Sequence, residues 1–159
     1  MRIPVLLKTP ITPEIRRRIT QLPKSQCIKF AVASFFHGLR HHPHFVIPKV
    51  IEEALKVIRN YQTGKASVQD GRLAALAIHH EARTMTDLVT ERIYRAAGHM
   101  VATLHVKTHA SGPYLYLLSI YHYLYHDASI DDEAVSYLHL LEQIEEAHNL
   151  TPQIDIDTV

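Results

Sequence analysis

The sequence predicts an all-α fold, a single compact bundle of about six helices with one helix buried at its centre. Apolar residues recur mostly at intervals of three and four, the spacing of one face of an α-helix. Only five of the 159 residues are glycine, and none forms a hairpin turn flanked by alternating strand patterns. With 47% hydrophobic and 21% charged residues, the composition is that of an ordinary globular protein. We therefore expect one helical domain over residues 1–159, with residues 1–11 and 150–159 as extended or flexible arms.

The first two helices are marked by prolines and polar caps. Thr12, followed by Pro13, predicts the start of a first helix with Thr12 as its N-cap. Pro23 must end that helix, and Ser25 is positioned to cap the next one. The second helix carries an apolar stripe at helical spacing, formed by Ile28, Ala31, Val32, Phe35 and Phe36.

Three further helix starts are indicated downstream. Pro48 restarts the chain in a third helix, which ends near Gly64. Ser67 and Asp70 have the spacing of a capping box, with Asp in place of the preferred Glu, before an alanine-rich helix. A start near Thr86 or Asp87 opens a helix that is apolar on both faces, and we expect it to be the buried central one.

The last two helices follow a break at Gly112-Pro113, where the proline cannot donate a backbone hydrogen bond inside a helix. From Tyr114 the chain is predicted to be helical to about His126. Ser129 and Asp132 then have the spacing of a cap for the final helix.

The charges are divided unevenly along the chain. Residues 1–72 contain 13 basic and 4 acidic residues, a net of +9, whereas residues 73–159 contain 4 basic and 12 acidic residues, a net of −8. This asymmetry predicts a molecule with a strong electrostatic dipole, able to steer a charged partner onto one face or to favour self-association.

The sequence indicates a cytoplasmic protein without a membrane span. Its longest near-apolar runs, Phe30 to Phe36 and Leu115 to Ile120, are far shorter than the roughly 20 residues a transmembrane helix needs. The first residues lack the apolar core and cleavage site of a secretory signal. Cys27 is the only cysteine, which rules out an intramolecular disulfide and a cysteine zinc cage, and we expect it to be a small buried hydrophobe.

Histidine is the outlier of the composition, with thirteen residues. Two imidazoles four residues apart on a helix share a face and can bind one ion. The candidates for such a metal are His79, His80, His105 and His109, and a histidine-based metal-binding enzyme or sensor is one alternative function. However, no pair lies in a His-Glu-x-x-His arrangement. We favour hydrogen bonding by half-buried histidines, expect no cofactor, and assign no catalytic residue.

A second alternative is nucleic-acid binding through the basic first helix, where Arg16, Arg17 and Arg18 are consecutive. The net charge of only +1 and the absence of a recognisable helix-turn-helix pattern argue against it. Five tyrosines between Tyr114 and Tyr125 are more than a core requires. Since tyrosine is favoured at interfaces, some of them are expected to line a groove for a partner protein or for a second copy of the chain.

Two blocks of sequence resemble a known family. Residues 72–79 (RLAALAIH) and 96–110 (AAGHMVATLHVKTHA) are similar to the immunity-protein family of bacterial polymorphic toxin systems, in its immunity-protein-five-like form. The second block is the more specific, and its motif residues in this chain are Gly98, His99, Thr103, His105 and His109. The resemblance implies an all-helical cytoplasmic protein that binds and neutralises a cognate toxin without catalysis of its own.

We therefore expect a protein that acts by protein–protein contact rather than as an enzyme. The acidic second half is the natural surface for a basic toxin such as a nuclease, because complementary charge raises the association rate. The residues expected to bind the partner are Asp131, Asp132, Glu133, Glu142, Glu145 and Glu146, together with Tyr121 and Tyr125.

Overall fold

The computed structural model describes residues 9–126 and 129–150, and these residues form helices without a β-strand. The all-α prediction is confirmed, with seven α-helices in this part of the chain rather than about six. They are α1 (Ile11–Gln21), α2 (Lys24–Leu39), α3 (Lys49–Gln62), α4 (Val68–Ala82), α5 (Leu88–Ala102), α6 (Ser111–Leu124) and α7 (Ile130–Leu150), with a 3-10 helix (Lys107–Ala110) before α6.

Of the two predicted arms, only the ends next to the helices are described. Thr9 and Pro10 precede α1, while Ile11 begins that helix and Leu150 ends α7. The other residues of both arms, 1–8 and 151–159, lie outside the described residues. Within the described part of the chain, none of the helices is both long and apolar enough to span a lipid bilayer.

Prolines rather than side-chain caps start the first helices. Thr12 and Ser25, the predicted N-caps, lie inside the first turns, and the N-cap positions are held by Pro10 and Pro23. The Thr12 hydroxyl is 2.7 Å from the Tyr114 hydroxyl, so it is used by a buried tertiary hydrogen bond instead of by the helix end. Both cap predictions are therefore wrong: local sequence does not show the distant partner of Thr12, and α2 starts directly after Pro23, before Ser25.

The caps of later helices match the predictions. Ser67 and Asp70 form the predicted capping box: the Asp70 amide donates to the Ser67 Oγ at 3.1 Å, and the Ser67 amide donates to an Asp70 carboxylate oxygen at 2.7 Å. Asp87 accepts a hydrogen bond from the Thr90 amide at 2.8 Å, which fixes the start of α5. Each such cap typically contributes about 1 kcal/mol of stability.

The core lies around α5 and α6. As predicted, α5 is central, because it packs against α2, α3, α4, α6 and the 3-10 helix. The first half of α6 is equally enclosed, since every residue from Gly112 to Ile120 is buried. Pro113 lies in the first turn of α6, where its missing amide hydrogen removes no helical hydrogen bond. Cys27 is fully buried, as expected of a small hydrophobe.

Tyrosine pairs connect the outer helices to this core. Tyr114 of α6 forms the hydrogen bond to Thr12 of α1 through its hydroxyl group. Its ring packs edge-to-face on Tyr137 of α7, with ring centroids 5.1 Å apart. Tyr137 in turn packs against His37 of α2, at 4.7 Å between centroids. Both tyrosines are at most 1% exposed. These contacts hold α1, α2 and α7 on one side of α6.

Candidate functional site

The motif residues of the 96–110 block meet between α4, α5, the 3-10 helix and α6. Gly98 allows a close approach of α5 to α4, because a Cβ placed there would lie 2.5 Å from Cε1 of His79 on α4. Gly112 at the start of α6 likewise allows α6 to lie close to α5, since a Cβ at this position would overlap Cβ of His99. Glycine at these two positions therefore lets α4, α5 and α6 approach one another closely.

Four imidazoles are brought together by this close packing, and we call His79, His99, His105 and His109 the histidine cluster. Ring centroids are separated by 5.5 Å between His79 and His99, 5.0 Å between His99 and His109, and 5.5 Å between His105 and His109. Thr103, the remaining motif residue, is buried and donates its hydroxyl hydrogen to the His99 carbonyl at 3.1 Å. The motif thus forms one connected structure.

The hydrogen bonds of the histidine cluster require an unprotonated acceptor nitrogen on His79 and on one ring of the His99–His109 pair. Nδ1 of His99 and Nδ1 of His109 are 3.1 Å apart, so one of them carries the hydrogen and the other accepts it. Arg95 donates to Nδ1 of His79 at 3.3 Å and is itself paired with Glu91 at 2.9 Å. A second proton on either acceptor nitrogen would break its hydrogen bond.

Burial keeps these rings neutral. Loss of hydration lowers the pKa of His79 to about 4, with the Arg95 charge acting in the same direction. The same loss of hydration, with the neighbouring His109, lowers the pKa of His99 to about 3. Burial also lowers the pKa values of His105 and His109. At neutral pH the histidine cluster is a set of neutral hydrogen-bonding rings.

The geometry does not favour the predicted metal candidates. Among the described residues, no group of three or more His, Cys, Asp or Glu side chains is arranged to hold an ion. His80 is exposed on α4, whereas His79 faces the buried cluster. His105 contacts His109, and its Nδ1 has no hydrogen-bond partner within the described part of the chain. The expected role of half-buried histidines in hydrogen bonding fits His79, His99 and His109 better.

The acidic residues predicted to bind a partner are divided into two groups by the structure. Glu133 is only 7% exposed, and both its carboxylate oxygens accept from Arg40, at 2.8 and 2.9 Å. Glu142 and Glu145 pair with Arg18 of α1, at 3.7 and 2.8 Å. These three carboxylates are engaged inside the chain, which argues against them as direct partner contacts. Asp131, Asp132 and Glu146 are exposed.

The same ion pairs change the interpretation of the charge asymmetry. Basic residues of α1 and α2 face acidic residues of α7, so charges far apart in sequence neutralise each other in space. These ion pairs between the two halves of the chain reduce the predicted electrostatic dipole of the molecule. The arginine run of α1 is also partly engaged, because Arg17 and Arg18 both pair with Glu14, at 2.8 and 2.7 Å. This pairing weakens the case for nucleic-acid binding by α1.

The tyrosines from Tyr114 to Tyr125 separate into a buried and an exposed set, and the groove expected for a partner stays a prediction. Tyr114 and Tyr116 are in the core, whereas the end of α6 carries three consecutive exposed residues, namely Tyr123 at 48%, Leu124 at 43% and Tyr125 at 43%. We call these three, with Tyr121 and His41, the aromatic end.

The aromatic end is held in place by contacts to α2 and α7. His41 follows α2 and lies 5.1 Å from Tyr121 and 6.2 Å from Tyr125 between ring centroids, and the two tyrosine rings are 5.0 Å apart. Nε2 of His41 is 3.1 Å from a carboxylate oxygen of Glu133. Glu133 lies in the first turn of α7 beside the exposed Asp131 and Asp132. The structure therefore brings predicted Tyr121, Tyr125, Asp131 and Asp132 to one end of the bundle.

Two exposed apolar features escape the sequence prediction. Phe36, predicted as core, is 43% exposed on α2, and Leu73 and Leu76 on α4 are 55% and 53% exposed. Apolar residues cover more of the circumference of α2 than its neighbouring helices can bury. This excess of apolar residues is the only feature of the sequence that indicates an exposed Phe36. In α4 the buried stripe is instead formed by small residues and Ile78.

Comparison with known proteins agrees with the motif. A family model described as "Imm-5 like putative immunity protein" matches residues 17–146, a span that includes the histidine cluster and the aromatic end. No curated protein and no solved structure matches the chain.

Proposed function

Because the chain belongs to the family described as Imm-5 like putative immunity protein, we propose that it binds a cognate toxin and neutralises it by protein–protein contact. The observation that carries this proposal is the match over residues 17–146, which extends from α1 into the last turns of α7. We propose the cytoplasm as the place of the encounter, as the family resemblance implies. Binding alone is sufficient for this role, since a partner that covers the toxin's active surface blocks it without any reaction.

The aromatic end is the surface that we propose for toxin contact. Tyr123, Leu124 and Tyr125 expose three large side chains in succession at the end of a rigid, buried helix. Tyrosine has few rotatable bonds and combines an apolar ring with a hydroxyl, so it loses little entropy on binding and is enriched among residues that dominate interfaces. The contacts to His41 keep two of the rings ordered before the partner arrives.

Charge beside the aromatic end supports a basic partner. Asp131 and Asp132 are exposed in the first turn of α7, and neither forms an ion pair within the described part of the chain. Acidic side chains around an aromatic centre would speed the approach of a basic toxin and disfavour acidic partners. Glu133 is buried and does not contact the partner in this proposal. It holds His41 in position by a hydrogen bond, and His41 packs on the tyrosines.

The test uses the cognate toxin, to be sought among the products of neighbouring genes, produced in the same cells as the chain. The intact chain should restore growth, and the double variant Tyr123→Ala/Tyr125→Ala should weaken toxin binding by about 30-fold or more, the loss expected when a central interface residue is removed. Leu73→Ala/Leu76→Ala is the matched control, because it removes two side chains of similar exposure from α4. This control should retain wild-type affinity.

The possible results separate the function from the surface. If the intact chain neither binds the toxin nor restores growth, the proposed function is wrong. If it neutralises the toxin and the tyrosine variant binds as tightly as wild type, the function stands and the aromatic end is not the contact surface.

A further inference from the structure

An open groove runs between α2 and α3. These helices follow each other in the chain and both contact α5, but α2 packs mainly on α6 and α7, whereas α3 packs mainly on α4. Two cavities lie end to end in the space between them, of about 370 and about 490 Å³, and they share Lys29 and Gln62 in their walls. Along α2 the groove extends from Lys24 to Phe36, roughly 18 Å at the helical rise of about 1.5 Å per residue.

The floor and one wall of the groove are apolar. Ile28 and Ile58 are buried, at 2% and 3% exposure, and form the floor. Val32 and Leu55 are half-buried above them, and Phe36 is 43% exposed at the far end. An apolar side chain entering the groove would cover these residues and gain their buried area.

All the charged residues that line the groove are basic. Lys24, Lys29 and Arg59 contribute to its walls, and the acidic residues of α3, Glu52 and Glu53, do not. None of the three cations has an acidic partner among the described residues, in contrast to Arg17, Arg18, Arg40 and Arg95. Lys24 lies over the Tyr61 ring, 5.4 Å from its centroid, which holds a positive charge at the mouth of the groove.

We propose that the α2–α3 groove is a docking site for an acidic amphipathic helix of a partner protein. An amphipathic helix in a groove inserts apolar residues spaced three and four apart, and about three turns fit the length available. Acidic residues flanking these anchors would meet Lys24, Lys29 and Arg59. The sign of the charge separates this site from the aromatic end, whose exposed carboxylates favour a basic partner. The inference does not depend on the proposed function.

The probe is a fluorescent synthetic peptide of about 14 residues with leucines on one helical face and glutamates on the other. A second peptide has lysine in place of every glutamate. Fluorescence anisotropy with the full chain should give saturable binding of the acidic peptide that weakens with salt, and binding of the basic peptide should be at least about tenfold weaker.

Variants of the chain locate the binding. Lys29→Glu/Arg59→Glu should weaken the acidic peptide by about tenfold, because two exposed attractions become repulsions. Phe36→Asp should abolish its binding, whereas Leu76→Asp on α4 is the matched control at comparable exposure and should leave it unchanged. Circular dichroism establishes that each variant is folded. The four altered residues, Lys29, Phe36, Arg59 and Leu76, are all exposed. If Phe36→Asp proves unstable, the Lys29→Glu/Arg59→Glu variant still tests the site.

Several outcomes would overturn the proposal. Equal binding of the two peptides, or acidic-peptide binding that is insensitive to Phe36 and to the charge reversal, would show that the groove does not select an acidic helix. If the peptide binds only after residues 151–159, which include Asp155 and Asp157, are removed, the occupant is this chain's own tail. If the full chain sediments as a dimer that Phe36→Asp dissociates, the occupant is a second copy.

Discussion

Histidine and tyrosine meet at both the histidine cluster, where Tyr116 lies 5.3 Å from His99 between ring centroids, and the aromatic end, yet the two sites differ in what surrounds them. The cluster lies where α4, α5 and α6 converge, and glycine at positions 98 and 112 brings the rings within hydrogen-bonding distance. The aromatic end lies where α6 leaves the bundle, and three of its side chains are more than 40% exposed. The same residue types therefore stabilise the fold at one site and offer a surface at the other.

The difference shows why a sequence motif need not mark the place of contact. The motif residues Gly98, His99 and Thr103 are used in helix packing and in hydrogen bonds within the chain. A partner cannot reach the side chain of Thr103, which is fully buried. The motif residues fix the arrangement of α4, α5 and α6, and the exposed end of α6 depends on that arrangement for its position.

The largest effect that would test this contrast is acid destabilisation through the histidine cluster. Burial lowers the pKa of His79 to about 4 and of His99 to about 3, from 6.5 for an exposed ring. At pH values between these lowered pKa values and 6.5, the unfolded chain binds more protons at His79 and His99 than the folded chain does. The stability is therefore complete above pH 6.5 and is lost as the pH falls towards 4. We expect about 3 kcal/mol of lost unfolding free energy, after a discount for partial solvent access.

Urea unfolding at several pH values between 7 and 4 measures this loss. His99→Gln should reduce the slope of unfolding free energy against pH, and comparison with wild type cancels the contribution of the carboxylates. Tyr123→Ala at the aromatic end is the control, because it removes no imidazole and should keep the wild-type slope. An unchanged slope in His99→Gln would mean that the cluster does not exclude protons.

A smaller effect is expected from the glycine that closes the cluster. In Gly112→Ala the new methyl group would overlap Cβ of His99, which is fixed to the backbone of α5 and cannot swing away. Overpacking of this kind costs about 1 to 3 kcal/mol, partly offset by the better helix propensity of alanine. We expect a net loss of about 2 kcal/mol in unfolding free energy. The aromatic end has no such requirement, and Tyr123→Ala, at 48% exposure, should change stability by less than about 0.5 kcal/mol.

Sequence patterns predicted the helices well because helix ends depend on neighbouring residues. The capping box at Ser67 and Asp70, and the interruption before Pro113, follow from local backbone chemistry that any helix shares. The close packing around Gly98 was also predictable, since small residues in an apolar helix have few other uses. The predicted caps Thr12 and Ser25 are the exceptions, and the hydrogen-bond partner of Thr12, Tyr114, is 102 residues away.

The surface proposed for binding was less predictable because it depends on which charged residues form ion pairs after folding. Arg18 and Glu145 are 127 residues apart, and Arg40 and Glu133 are 93 apart, so no local pattern shows that these acids are already paired. Exposure of Phe36 likewise depends on α2 and α3 packing mainly on different neighbours. Sequence alone could name the tyrosines of α6, but it could not say that Tyr123 and Tyr125 lie outside while Tyr114 and Tyr116 lie inside.

The smallest predicted effect concerns the ion pair beneath the aromatic end. In Glu133→Gln, one neutral amide oxygen replaces the two carboxylate oxygens that Arg40 and His41 contact, so the two side chains compete for a single acceptor. We expect a loss of about 1 kcal/mol in unfolding free energy, since Arg40 is 38% exposed and water replaces part of the lost interaction. Glu142→Gln is the matched control: its carboxylate is 39% exposed and 3.7 Å from Arg18, so its loss should be close to zero.

The same variant also tests how the aromatic end is supported. With Gln at position 133, His41 is held less firmly against Tyr121 and Tyr125, so these rings should be less ordered before a partner binds. Toxin affinity should then fall by about threefold through the entropy of ordering them, far less than in Tyr123→Ala/Tyr125→Ala. Isothermal titration of Glu133→Gln and Glu142→Gln measures the difference. Equal affinities would mean that the tyrosines are ordered by α6 alone, and that the aromatic end does not depend on α7.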